Sequence, residues 1–137
     1  MSSRRRVQKL MISRQGKAWN TAPERNFDDY QKSRGLNLVM NHTLPFVAEN
    51  RAGQLQRYDF QCDFLMPDDK TFTVDFEIDG KGHKEKNDPW KDAVKNSRGL
   101  KVIHIDGELT KKKWWGELDR AINAALLSKE PTVRIWA

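Results

Sequence analysis

The sequence predicts an α/β fold in which a mixed central sheet is flanked by helices, and three observations carry that prediction. Thr71 to Asp79 alternates without interruption, apolar at Phe72, Val74, Phe76 and Ile78 and polar at Thr71, Thr73, Asp75, Glu77 and Asp79, which is the period of a half-buried strand. Tyr58 to Phe64 alternates similarly, apolar at Tyr58, Phe60, Cys62 and Phe64, and Pro67-Asp68-Asp69-Lys70 supplies a turn between the two runs. Around this hairpin lie segments with helical caps and helical spacing, so helices are interleaved with strands in a layered architecture.

Taken in order, the chain opens on residues 1–20, which hold Arg4, Arg5, Arg6, Lys9, Arg14 and Lys17 and no acid. They form either a basic arm that lies on nucleic acid or a solvated tail. Residues 21–137 are expected to form a single domain. Thr21-Ala22-Pro23-Glu24 is a capping box that opens a helix ended by Gly35: Thr caps, Pro is tolerated in the first turn, and Glu sits at the third helical position. Leu36 to Met40 reads as a connection, Pro45 to Ala48 as a short strand and Glu49 to Gly53 as a turn. The two carboxylate-bearing strands follow, with their apolar side on a helix layer and their acidic side turned to a cleft.

Beyond the hairpin, Asp88 is placed to cap a helix that begins at Pro89 and runs through Lys91, Lys95 and Arg98 to Gly99. Leu100 to Ile105 is apolar and rich in β-branched residues, as a buried strand is, and Asp106-Gly107 closes it. Thr110 is expected to start a last amphipathic helix, with Trp115, Leu118, Ile122, Ala125 and Leu126 at helical spacing. Thr132 to Trp136 reads as an edge strand. The resulting order is helix, three strands, helix, strand, helix.

Composition narrows the function. The chain of 137 residues carries a net charge of +6 with 32% charged and 37% hydrophobic residues. Ten of its nineteen acidic side chains fall between Asp59 and Asp92, so the remaining surface is more basic than the total suggests. A basic body around an acidic centre suits a protein that holds phosphates with Lys and Arg and a metal with carboxylates. One cysteine, Cys62, allows no internal disulfide and fits a reducing, cytoplasmic setting. No apolar run approaches the roughly 20 residues that cross a bilayer, so no membrane partner is expected.

Glu77 and Asp79 share a strand face, and two neighbouring carboxylates need a compensating positive charge, most often a divalent cation. In this setting the order of residue types resembles a known pattern. Asp63, followed at a distance by Asp79-Gly80-Lys81, looks like the PD-(D/E)xK nuclease motif. More narrowly, Asp63-Phe64 with Pro67, then Phe76-Glu77-Ile78-Asp79-Gly80 and His83, resembles the short-patch-repair-like branch of that superfamily, which includes very-short-patch repair endonucleases and some homing endonucleases. Asp88, Lys91, Gly99, Val102 and His104 also fall where that branch tends to carry acidic, basic, glycine and strand residues. The resemblance spans roughly Thr21 to Ile105. It implies a restriction-endonuclease-like αβββαβ core and a DNA endonuclease.

The chemistry that the resemblance implies is phosphodiester hydrolysis aided by Mg²⁺, or Mn²⁺ in its place, bound by Asp63, Glu77 and Asp79. Lys81 would hold the attacking water or the scissile phosphate, and His83 would act as general acid or base. Related nucleases carry a first-helix glutamate that helps hold metal, and Glu24 stands in that place as well as in its capping box. An untwisted hairpin centred on Asp68 and Asp69 sets Asp59 opposite Glu77, whereas the resemblance favours Asp63. Arg4, Arg5, Arg6, Lys9, Lys91 and Lys95 are the candidate DNA contacts. Trp114 and Trp115 fit a core better than a stacking platform, and His104 fits a hydrogen-bonded place in a buried strand. Two other functions remain open. One is a Holliday-junction resolvase, which would act as a homodimer, and the other is a DNA-binding module without chemistry.

Overall fold

The computed structural model describes residues 21–79 and 89–137. Helix α1 spans Ala22–Ser33 and is capped by Thr21: its hydroxyl accepts from the Glu24 N–H at 3.3 Å and donates to Glu24 Oε1 at 3.2 Å. Strands β1 (Val39–Glu49), β2 (Leu55–Asp68) and β3 (Thr71–Asp79) follow, then helix α2 (Pro89–Ser97), strand β4 (Lys101–Asp106), helix α3 (Trp115–Leu127) and strand β5 (Thr132–Ile135). Gly35 and Gly99, at φ +67° and +86°, close α1 and α2 in the left-handed conformation that glycine tolerates best.

The five strands lie side by side in chain order. β1, β2 and β3 are antiparallel neighbours, while β4 pairs parallel to β3 and β5 parallel to β4. The mixed sheet flanked by helices is the expected architecture. Its details differ in two places. β1 is one strand of eleven residues and runs straight through Pro45, because β1 is a sheet edge where a residue without an N–H is tolerated. Two 3₁₀ turns, Gly107–Thr110 and Lys112–Trp114, precede α3, which therefore starts at Trp115 and not at Thr110.

Both faces of the sheet are covered. On one, Phe27 and Tyr30 of α1 and Leu118 and Ile122 of α3 pack on Phe64, Phe76, Ile78, Ile103 and Ile105. Phe27 meets Phe64 edge to face, with ring centroids 4.9 Å apart. On the other, Val94 of α2 and Leu100 pack on Phe46, Phe60, Cys62 and Leu65. The alternation read from Tyr58 to Phe64 breaks here. Phe60 and Cys62 belong to the α2 side, whereas Phe64 faces α1. The inversion occurs at Asp63, and across the ladder Asn41 adopts φ +52°, between the paired Met40↔Phe64 and His42↔Cys62. A left-handed residue in a strand turns the chain over locally, so the outer half of the β1–β2 hairpin presents its other side. Among the described residues, the acidic side of β3 is roofed by α2, whose Lys95 reaches Asp75.

Candidate functional site

The inversion at Asp63 opens a fork in the sheet. The β2–β3 backbone ladder runs from Asp68↔Thr71 to Phe64↔Phe76, with a shift between Met66 and Pro67. The turn at Asp69 and Lys70, together with that shift, sets the register. Extended by one residue, it sets Asp63, and not Asp59, opposite Glu77. Asp59 is exposed and paired with Arg57 at 3.0 Å. At the fork, side chains take over from the ladder: the Asp63 N–H donates to Glu77 Oε2 at 3.1 Å, and the Ile78 N–H donates to Asp63 Oδ2 at 2.9 Å. Each carboxylate thus satisfies a backbone donor on the opposite strand.

Charge accumulates around this exchange. Burial, followed by the nearby Glu77 charge, pushes the Asp63 carboxyl up to about 8, and the Glu24 charge on α1 adds to the rise. Glu77 is raised well above the ordinary carboxylate range by burial and by Asp75, and Asp75 is raised by its own burial. One ammonium answers them. Lys95 of α2 reaches Asp75 Oδ2 at 2.6 Å and Glu77 Oε2 at 3.7 Å. Burial alone would lower Lys95, yet Glu77 and Asp75 more than offset that and hold it charged. Lys95 is 3% exposed, so it lies beneath α2 and not on an outward, phosphate-facing surface. Lys91 is exposed on the same helix.

Asp79 belongs to a second group one strand position on. It is buried, and His104 on β4 lies between it and Asp92 of α2. His104 Nε2 is 2.8 Å from Asp92 Oδ2, while Nδ1 is 3.4 Å from both Asp79 oxygens, aligned for a hydrogen bond with Oδ1. Burial would lower the His104 pKa, but hydrogen bonds to Asp79 and Asp92 raise it to about 9. Arg134 on β5 stands 3.6 Å from Asp92 Oδ2 and completes the group. Gly107 lets these pieces approach. A Cβ there would come within 3.0 Å of Pro23 and 3.1 Å of the Asp79 carbonyl oxygen, so glycine seats the start of α1 against the end of β3.

The expected ligands are therefore brought into one region, but held apart by cations. Glu77 turns to Lys95 and Asp79 to His104. Among the described residues, the metal-capable atoms that lie within 4.8 Å of one another belong to Cys62, Asp75 and Glu77, and not to the expected Asp63, Glu77 and Asp79. Burial and the Asp75 charge push the Cys62 thiol up and keep it protonated, and Lys95 already occupies that corner. No family model matches the chain, and neither does any curated protein or solved structure.

Lys81, His83 and Asp88, together with Arg4, Arg5, Arg6 and Lys9, lie outside the described residues. Trp114 and Trp115 pack against the α1 side of the core, each with its indole N–H bonded, to Glu108 at 3.2 Å and to the Thr110 carbonyl at 2.9 Å. Sequence reasoning gave no role to Asp75 and assigned Lys95 to DNA. No local signal pairs them, because Asp75 and Lys95 are twenty residues apart on different elements.

Proposed function

We propose that this chain is a metal-dependent DNA endonuclease of the short-patch-repair-like kind. The observation that carries the reading is the carboxylate exchange at the fork, where Asp63 and Glu77 are bound to each other's strands with Asp75, Asp79 and Glu24 close by. Among the described residues, six acids, Asp92 included, gather around Lys95, His104 and Arg134, and their mutual repulsion adds to the burial that raises Asp63 and Glu77. Asp75 Oδ1 and Asp79 Oδ2 are buried with no hydrogen-bond partner among the described residues. A buried carboxylate oxygen left in that condition is costly. Hard oxygen donors of this type fit Mg²⁺ or Mn²⁺ and not a soft ion.

When bound, such an ion supplies an activated water and neutralises the phosphoryl charge. The chain's own residues do the rest. Asp63, Glu77 and Asp79 would hold the ion, with Glu24 adding its charge from the start of α1. Lys81 and His83, two and four positions beyond Asp79, would hold the scissile phosphate and move the proton. The basic arm would bind the DNA backbone. A fold of this kind roofed by α2 with no catalytic use for its acids would be a plain DNA-binding module. The buried, unpartnered oxygens argue against that, since such a module would lose nothing by replacing them.

The test is cleavage of linear, mismatched, nicked and branched DNA with Mg²⁺ or Mn²⁺. Glu77→Ala and Asp79→Ala are each expected to abolish cutting while leaving DNA binding in place. Undiminished cutting by both variants would overturn the assignment. Preference for branched DNA would move the reading to a resolvase.

A further inference from the structure

We propose that α2 is a positioning device for the two β3 carboxylates, with Lys95 holding Glu77 and Asp92 holding Asp79 through the His104 imidazole. The inference rests on the metal-dependent reading above and names what prepares its ligands. Asp92 and Lys95 are three residues apart and both buried, on either side of Val94, which anchors the helix in the second core. One helix face thus meets the acids of one strand by different means: a cation that bonds Asp75 at 2.6 Å and stands 3.7 Å from Glu77, and an acid acting through an imidazole for Asp79.

The geometry on the Asp79 side is specific. His104 is fixed at Nε2 by Asp92 at 2.8 Å, and Asp92 is itself flanked by Arg134 at 3.6 Å. The ring can then offer Nδ1 only toward Asp79, where it is aligned with Oδ1 and leaves Oδ2 without a hydrogen bond among the described residues. A carboxylate with one oxygen tied and the other unsatisfied is in the state that outer partners impose on metal ligands. Stability does not require this arrangement. Apolar residues of similar volume beneath a helix are commonly as stable as a buried ionic group, or more so. His104 and Asp92 are therefore positioning residues and not catalytic ones.

The test exploits the two imidazole nitrogens. Asn places a donor near Nδ1, and Gln places one near Nε2. His104→Asn keeps the bond to Asp79, while His104→Gln keeps only the bond to Asp92. Mn²⁺ affinity is measured by titration on the full chain, alongside its melting temperature and its metal-dependent DNA cleavage. His104→Gln is expected to lose about 10- to 100-fold in Mn²⁺ affinity, with His104→Asn staying near the wild type. Where His104→Gln does not melt cooperatively, Asp92→Ala takes its place with the same expected loss. Equal affinity in the Asn and Gln variants would overturn the positioning role while leaving the nuclease reading intact. A wild-type chain that binds Mn²⁺ but cuts no DNA would overturn the nuclease reading and leave this one standing on affinity. A chain that takes up no Mn²⁺ would overturn both.

Discussion

At the scale of the residue, Lys95 is the side chain on which most depends. It is the ammonium that bonds Asp75 at 2.6 Å and stands 3.7 Å from Glu77, and it opposes the burial that raises both carboxyls. Removing one member of a buried pair costs far more than removing both, because the survivor is left charged and desolvated. Lys95→Met is expected to destabilise the chain by about 3–5 kcal/mol in urea denaturation. Asp75→Leu combined with Lys95→Met is expected to recover most of that loss, since the pair is then replaced by apolar volume. A double variant no more stable than Lys95→Met alone would show that the pair is not what the helix and strand exchange there.

At the scale of the element, the site depends on the turn-over of β1 and β2 at Asn41 and Asp63. Asn41 adopts φ +52°, which a β-branched residue adopts only with strain. Asn41→Val should cost about 1–3 kcal/mol, and more than Asn41→Gly, as judged by thermal melting. Equal costs would place the effect in side-chain contacts and not in the backbone. The same residue marks where sequence reasoning stopped. The strands, the caps at Thr21 and Gly99, and the order of elements follow from periodicity and capping chemistry, which are local. The inversion is not local: Tyr58 to Phe64 reads as one unbroken alternation, and the residue that interrupts it stands on another strand. For the same reason Asp63 was legible as a candidate, while its register opposite Glu77 came from the turn at Asp69 and Lys70 and the shift at Met66 and Pro67. Lys95 misled because a basic residue on a polar helix gives no sign that two acids wait beneath it.

At the scale of the whole molecule, the acids crowded at the fork show themselves as a pH dependence of stability. Asp63 folds with its pKa raised to about 8, from an unfolded carboxylate near 4. A raised pKa means that the folded state prefers the proton, so this contribution is complete below the unfolded value and is lost as pH rises through about 8. His104, raised to about 9, acts in the same direction, present below its unfolded value and lost above about 9. Between about pH 6 and about pH 8, where ordinary carboxylates are already ionised, stability is therefore expected to fall, and Asp63→Asn to flatten the fall.

A cation entering the fork must displace the proton that Asp63 holds below about pH 8, and it competes with the protonation that burial favours at Glu77. The most direct measurement is a Mn²⁺ titration of the full chain at about pH 6 and at about pH 8, with released protons counted. Tighter binding at the higher pH, with proton release at the lower, is the predicted result. No binding, or an affinity indifferent to pH with no proton released, would contradict it.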